Sequence, residues 1–156
     1  MSTRSCIILK VRKEDIGKKF KFDASKVRAT VKEWDCYGDE IGKEKSKEVT
    51  ITKPYIGIYC HSDGYIDGVG RVLKEEWLSY EDILNLIVGG WCSVIWDGEV
   101  RHYANRKGER WDIIEPIQGK SAKDVQNKID HRFCYLFKEN IGWRWRGYHC
   151  GRFIKL

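Results

Sequence analysis

Residues 131–148 read His-Arg-Phe-Cys-Tyr-Leu-Phe-Lys-Glu-Asn-Ile-Gly-Trp-Arg-Trp-Arg-Gly-Tyr. Two aromatic-rich runs flank Glu139-Asn-Ile-Gly142, which has the chemistry of a hairpin turn. With Lys138 opposite Trp143 the turn is four residues long, so that Phe137 faces Arg144, Tyr135 faces Arg146 and Phe133 faces Tyr148. That register gathers rings and guanidinium groups on one sheet face, where they could hold a nucleobase and its phosphate together. In the plainer reading the rings are core, or the arginines cover them as cation–π partners. A slip of one residue sends the same side chains to opposite faces.

Working outward from this hairpin, several further elements are legible. Residues 5–11 hold the short apolar run Cys-Ile-Ile-Leu and predict an opening strand. Residues 13–53 are rich in lysine and acid, with strand-like pieces at 27–31 and 49–52, and read as a β-rich insertion. Tyr55-Ile-Gly-Ile-Tyr-Cys60 predicts an interior strand. Val69, Val72 and Leu73 have helical spacing, which predicts a short helix to Trp77. Ser79-Tyr-Glu-Asp82 predicts a capped helix that ends at Gly89-Gly90 in a left-handed turn. Residues 91–96 and 99–103 flank Asp97-Gly98 as a hairpin. Residues 111–114 suggest an edge strand, and Ser121-Ala-Lys-Asp124 caps a helix reaching about Ile129. The fold class expected is α+β: a mainly antiparallel sheet with two or three short helices packed on it, in a single domain spanning 1–156.

The 156 residues carry 42% hydrophobic and 33% charged side chains with two prolines, which excludes a disordered or low-complexity chain. No window is apolar enough for a membrane span, and the N-terminal apolar run is too short for a signal peptide, so residence in the cytoplasm is expected. The six cysteines form no Cys-x-x-Cys pair, and they read as reduced thiols packed like small hydrophobes. The net charge of +6 favours polyanionic or phosphorylated partners over cationic ones.

Three stretches resemble a family of short phage and prophage proteins of unassigned function. They are the start Met1-Ser-Thr-Arg-Ser5, the motif Tyr59-Cys-His-Ser-Asp-Gly-Tyr-Ile66 with its following Val69-Gly70, and Phe133-Cys-Tyr-Leu-Phe-Lys138 ahead of a tryptophan strand. Ser62 and Ile66 depart from the tryptophan and proline usual in that motif, and residues 13–53 replace a short turn. The resemblance implies a phage origin, action in the bacterial host cytoplasm and a small α+β fold. It brings no established activity.

His61 and Asp63 lie two apart at a strand end, with Asp67 beyond, a trio that could bind a divalent metal or perform acid–base work. The set is incomplete for hydrolysis, and the alternative is that Asp63 caps the next turn while His61 bonds backbone. Gly64, Gly68 and Gly70 match neither a P-loop nor a dinucleotide fingerprint. No cofactor is expected. The candidate ligand-binding residues are Tyr135, Arg144, Arg146, Tyr148, His61, Asp63 and Tyr65. The function expected is a non-enzymatic, counter-defence binding protein that sequesters a nucleotide signal or contacts nucleic acid or a host defence protein. The alternatives are a metal-dependent phosphoesterase or nuclease using His61, Asp63 and Asp67, and a structural or homo-oligomeric phage component.

Overall fold

The computed structural model describes residues 3–23, 31–35, 48–62, 73–74, 78–89, 93–94, 100–104, 116–129, 133–147 and 152–156, with backbone alone at 3–4, 31–35, 60–62, 93–94 and 100–104. In chain order the strands are β1 (Thr3–Lys10), β2 (Lys19–Lys21), β3 (Val31–Asp35), β4 (Glu48–Thr50), β5 (Tyr55–Ser62), β6 (Ser93–Val94), β7 (Val100–Ala104), β8 (Ile117–Gly119), β9 (Cys134–Lys138), β10 (Gly142–Arg146) and β11 (Ile154–Lys155). The helices are α1 (Tyr80–Val88) and α2 (Ala122–Ile129), with a 3-10 turn at Lys13–Asp15. Nine strands form one sheet in the order β11-β10-β9-β1-β5-β6-β7-β3, with β8 also against β5, while β2 and β4 make a separate ribbon. Pairing is antiparallel except for β1 with β9, β5 with β6 and β3 with β7. The chain is therefore an α+β protein with a mainly antiparallel sheet.

β1 lies between β5 and β9, and alternate residues of its pleat feed two cores. Ile7 and Leu9 face Ile58 and Ile56 across the ladder, and these four join Ile83, Leu86 and Ile87 of α1 in one cluster. Cys6 and Ile8 point the other way, joining Cys134, Leu136 and Val125 of α2 in the second. Cys6 and Cys134 stand in register across β1 and β9, packed as small apolar groups. Each large aliphatic side chain so buried contributes about 1.5–3 kcal/mol. The ladder thus fixes which helix covers which face.

Both helices begin as their sequences predict. The Ser79 Oγ accepts the Asp82 N–H at 3.1 Å, and the Ser121 Oγ accepts the Asp124 N–H at 3.1 Å. The helix α1 ends at Gly89 as expected; Gly89 is right-handed, at φ −68 and ψ −14, and its N–H bonds the Asn85 carbonyl, while Gly90, the other glycine of the expected left-handed turn, lies outside the described residues. β8, which the sequence did not signal, pairs antiparallel with the start of β5. The insertion supplies β2, β3 and β4, and β3 joins the far end of the main sheet beside β7. The antiparallel β6–β7 pair fits the expected hairpin, although its Asp97-Gly98 turn lies outside the described residues. So do the expected strand at 111–114, most of the strand at 27–31 and most of the helix over 69–77.

The closing hairpin corrects the expected register by one residue. Gly142, not Trp143, faces Lys138, and the pairs are Trp143 with Phe137, Arg144 with Leu136, Trp145 with Tyr135 and Arg146 with Cys134. The physical reason is Gly142 itself. Its φ of 82 is a backbone conformation that side chains disfavour, and it lets the chain rejoin the ladder after only three loop residues, with the Ile141 N–H bonded to the Lys138 carbonyl.

Gly57 marks a close approach of α2 to the sheet. A Cβ there would stand 2.7 Å from the Ile7 carbonyl oxygen and 2.9 Å from the Val125 Cγ1. Gly57→Ala is expected to destabilise the fold by about 1–3 kcal/mol through overpacking, read as a lower urea midpoint at unchanged slope; an unchanged midpoint would refute this account of the α2 packing.

Candidate functional site

The hairpin register sorts its side chains by chemistry. Trp143 and Phe137 meet edge to face, with ring centroids 5.3 Å apart, and both are buried with Tyr135 in the α1 cluster. Tyr135 is 2% exposed. Arg144 and Arg146 alternate to the opposite face. Tyr135 therefore does not share a face with either arginine, and Tyr135, Phe137 and Trp143 are core.

On the α2 side the same alternation gathers cations. Lys155 stands opposite Arg144. Lys10 and Lys138 follow Leu9 and Phe137, which are partners in the parallel β1–β9 ladder, so both emerge on this face. Among the described residues of β1, β9, β10 and β11, this face carries no carboxylate. Arg144, Lys138 and Lys155 form no ion pair with another described residue. Lys10 and Lys155 are exposed and Lys138, Arg144 and Arg146 half-buried. Exposed Lys120, Lys123 and Lys128 lie on α2 or just before it, where the acid Asp124 is held by the Lys120 N–H and the Lys128 ammonium below the usual carboxylate range.

Arg146 is the most constrained of these cations. Its Nε donates to the Gln126 Oε1 at 2.9 Å, its Nη2 donates to the same oxygen, and its Cζ lies 4.4 Å from the Phe153 ring centroid. Gln126 is itself buried on α2. A second basic–aromatic contact places the Lys10 Nζ 4.5 Å from the Tyr55 ring centroid. The sequence did not single out Lys10, Lys138, Lys155, Gln126 or Phe153. The parity of Lys10 after Leu9 was readable, but the parallel ladder that brings it to Lys138 was not.

A different polar cluster lies at the α1 side. Arg12 donates to both carboxylate oxygens of Glu139, its Nη2 at 2.9 Å, and its Nη1 lies 3.0 Å from Glu81. These bonds hold the Glu139 carboxyl below its ordinary range. The Arg12 guanidinium also covers the Tyr80 ring at 4.1 Å, while the Tyr80 hydroxyl donates to buried Asp15 at 2.7 Å and accepts the Arg12 N–H at 3.1 Å. Beside this knot is a cavity of about 230 Å³, with Phe20, Leu84 and Val88 among its apolar lining and Lys21, Asp23 and Asn85 among its polar lining. Its arginine is already engaged by two carboxylates, so the cavity is poorly suited to phosphate.

The motif residues are only partly placed. The His61 backbone sits in β5, in register with Arg4 and Ser93. Its side chain, and all of Asp63, Tyr65, Asp67 and Tyr148, lie outside the described residues. Among the described residues no group of three or more His, Cys, Asp or Glu could hold a metal, and no helix is long and apolar enough to cross a membrane.

Burial raises the Tyr80 phenol above its ordinary pKa, the bond to Asp15 adding to the shift. The unfolded chain therefore loses this proton first, so the contribution is full below about pH 10 and declines as pH rises toward the folded value. Tyr80→Phe is expected to cost about 1–3 kcal/mol near neutrality, because it leaves the buried Asp15 oxygen without its donor. The difference from the parent should shrink above about pH 10 in urea unfolding; a pH-independent difference would contradict the assignment.

Comparison with protein-family models, with curated proteins and with solved structures finds no match.

Proposed function

We propose that this chain is a phage-encoded, non-enzymatic binding protein that acts in the host cytoplasm as a counter-defence factor and contacts nucleic acid through the α2 face of the β9–β11 end of the sheet. One observation carries the nucleic-acid reading: Lys10, Lys138, Arg144, Arg146 and Lys155 share a sheet face without a carboxylate among its described residues. The phage origin rests on the sequence motifs alone. Cations distributed over a floor suit an extended polyanion better than a single nucleotide, which requires an enclosed site. The net charge of +6 adds long-range attraction of the same sign. Phosphate contacts of this kind position the ligand without reading its sequence.

The expected behaviour is salt-sensitive, largely sequence-independent binding of labelled oligonucleotides in fluorescence anisotropy. In the triple variant Lys138→Gln/Arg144→Gln/Lys155→Gln the slope of log K against log salt should flatten by about 0.7–0.9 for each phosphate that is no longer neutralised. Absence of binding at low salt by the folded parent protein would overturn the reading, as would a triple variant whose affinity and slope match the parent's.

A further inference from the structure

The nucleic-acid reading can be carried to the class of strand, because the basic groups do not stand on a projecting element. Lys138, Arg144, Arg146 and Lys155 lie on the β9–β11 end of the sheet, only about two strand spacings or roughly 10 Å wide, with Lys10 beside them on β1 and with Cys134 and Leu136 of β9 buried in the α2 cluster between them. Along one side stands α2, packed over β1, β5 and β8 and rising by about the 10 Å diameter of a helix. A duplex keeps its bases paired and stacked within the helix, so it offers this face little besides phosphates. A single strand can present an unpaired base as well as its phosphates.

At the foot of α2, Arg146 is held in a single orientation. Gln126 takes two of its donors, and Phe153 backs one plane of the guanidinium. A guanidinium with two donors taken by Gln126 has fewer left for a bidentate grip on phosphate. One that offers its second plane to a base gains preorganisation, because its orienting entropy is lost on folding and not on binding. Arginine planes and aromatic rings are the surfaces on which unpaired bases stack. Arg144 and Lys155, facing each other two positions further along the ladder and so on the same face, are placed for the adjoining phosphates. Lys138 and Lys10 continue the basic track, and Lys10 already lies over the Tyr55 ring.

We infer that the ligand is a single-stranded nucleic acid, with one base stacked on the outer plane of Arg146 and its flanking phosphates on Arg144 and Lys155. This rests on the nucleic-acid reading above. The test measures anisotropy of three labelled probes at one salt concentration: an oligothymidine, an abasic strand of the same length, and a blunt duplex. The oligothymidine should bind roughly tenfold more tightly than the abasic strand, the difference expected of one stacked base. It should also bind more tightly than the duplex. Arg146→Lys keeps the charge but not the plane, and should erase the preference for thymine over abasic strand while leaving the salt slope unchanged. The parent comparison needs no variant, so it decides even where Arg146→Lys is unstable. A duplex bound as tightly as the single strand would overturn the single-strand assignment while leaving nucleic-acid binding intact. Equal binding of thymine and abasic strands would overturn the stacking role, as would a folded Arg146→Lys that retains the thymine preference. No binding of any probe would remove both readings.

Discussion

The two-residue period of β1, buried on both faces, is the constraint on which the rest of the structure depends. Because β1 is flanked by β5 and β9, neither face can turn to solvent without losing a core. Ile7 and Leu9 commit one face to α1, and Cys6 and Ile8 commit the other to α2. The parallel pairing with β9 then transmits this parity outward, and the antiparallel turn at Gly142 transmits it to β10 and, through Arg144 and Lys155, to β11. A side chain at the sheet's end is thereby assigned to core or surface by residues three strands away.

The division of the hairpin follows from that transmission. Phe137, Tyr135, Trp143 and Trp145 pack in or against the α1 cluster, while Lys138, Arg144 and Arg146 emerge beside α2. The same pleat that hides the rings concentrates the cations, and the only described aromatics beside those cations are Phe153 and Tyr55, contributed by other segments. Mutual repulsion among such cations costs stability at low ionic strength, and is tolerated where a polyanion relieves it. The α1 side shows the contrasting solution, with Arg12 enclosed by Glu81 and Glu139 and stacked on Tyr80. That arginine serves to tie the hairpin turn to the start of α1.

Much of the fold was legible because it is encoded locally. Ser79 and Ser121 announce their helices by hydroxyls placed three residues before the amides they accept, and the apolar runs at 5–11 and 55–60 announce their strands. The hairpin register was not legible from pattern alone, since Trp-Arg-Trp-Arg alternates equally well in either phase. The decisive signal was a single residue, Gly142, whose positive φ favours the three-residue loop. The candidate face was less legible still. Arg144 and Arg146 could be named from sequence, but Lys10 lies more than a hundred residues from Lys138, and only the parallel β1–β9 pairing brings them together. Gln126 and Phe153 gain their role solely by meeting Arg146 in three dimensions.

Nuclear Overhauser effects between β9 and β10 report whether rings lie on one face of the hairpin and cations on the other. Cross-strand effects are expected to link Trp143 with Phe137, Arg144 with Leu136 and Trp145 with Tyr135. Effects linking Arg144 with Phe137 and Arg146 with Tyr135 would contradict this arrangement, and would return the rings and guanidinium groups to a shared face.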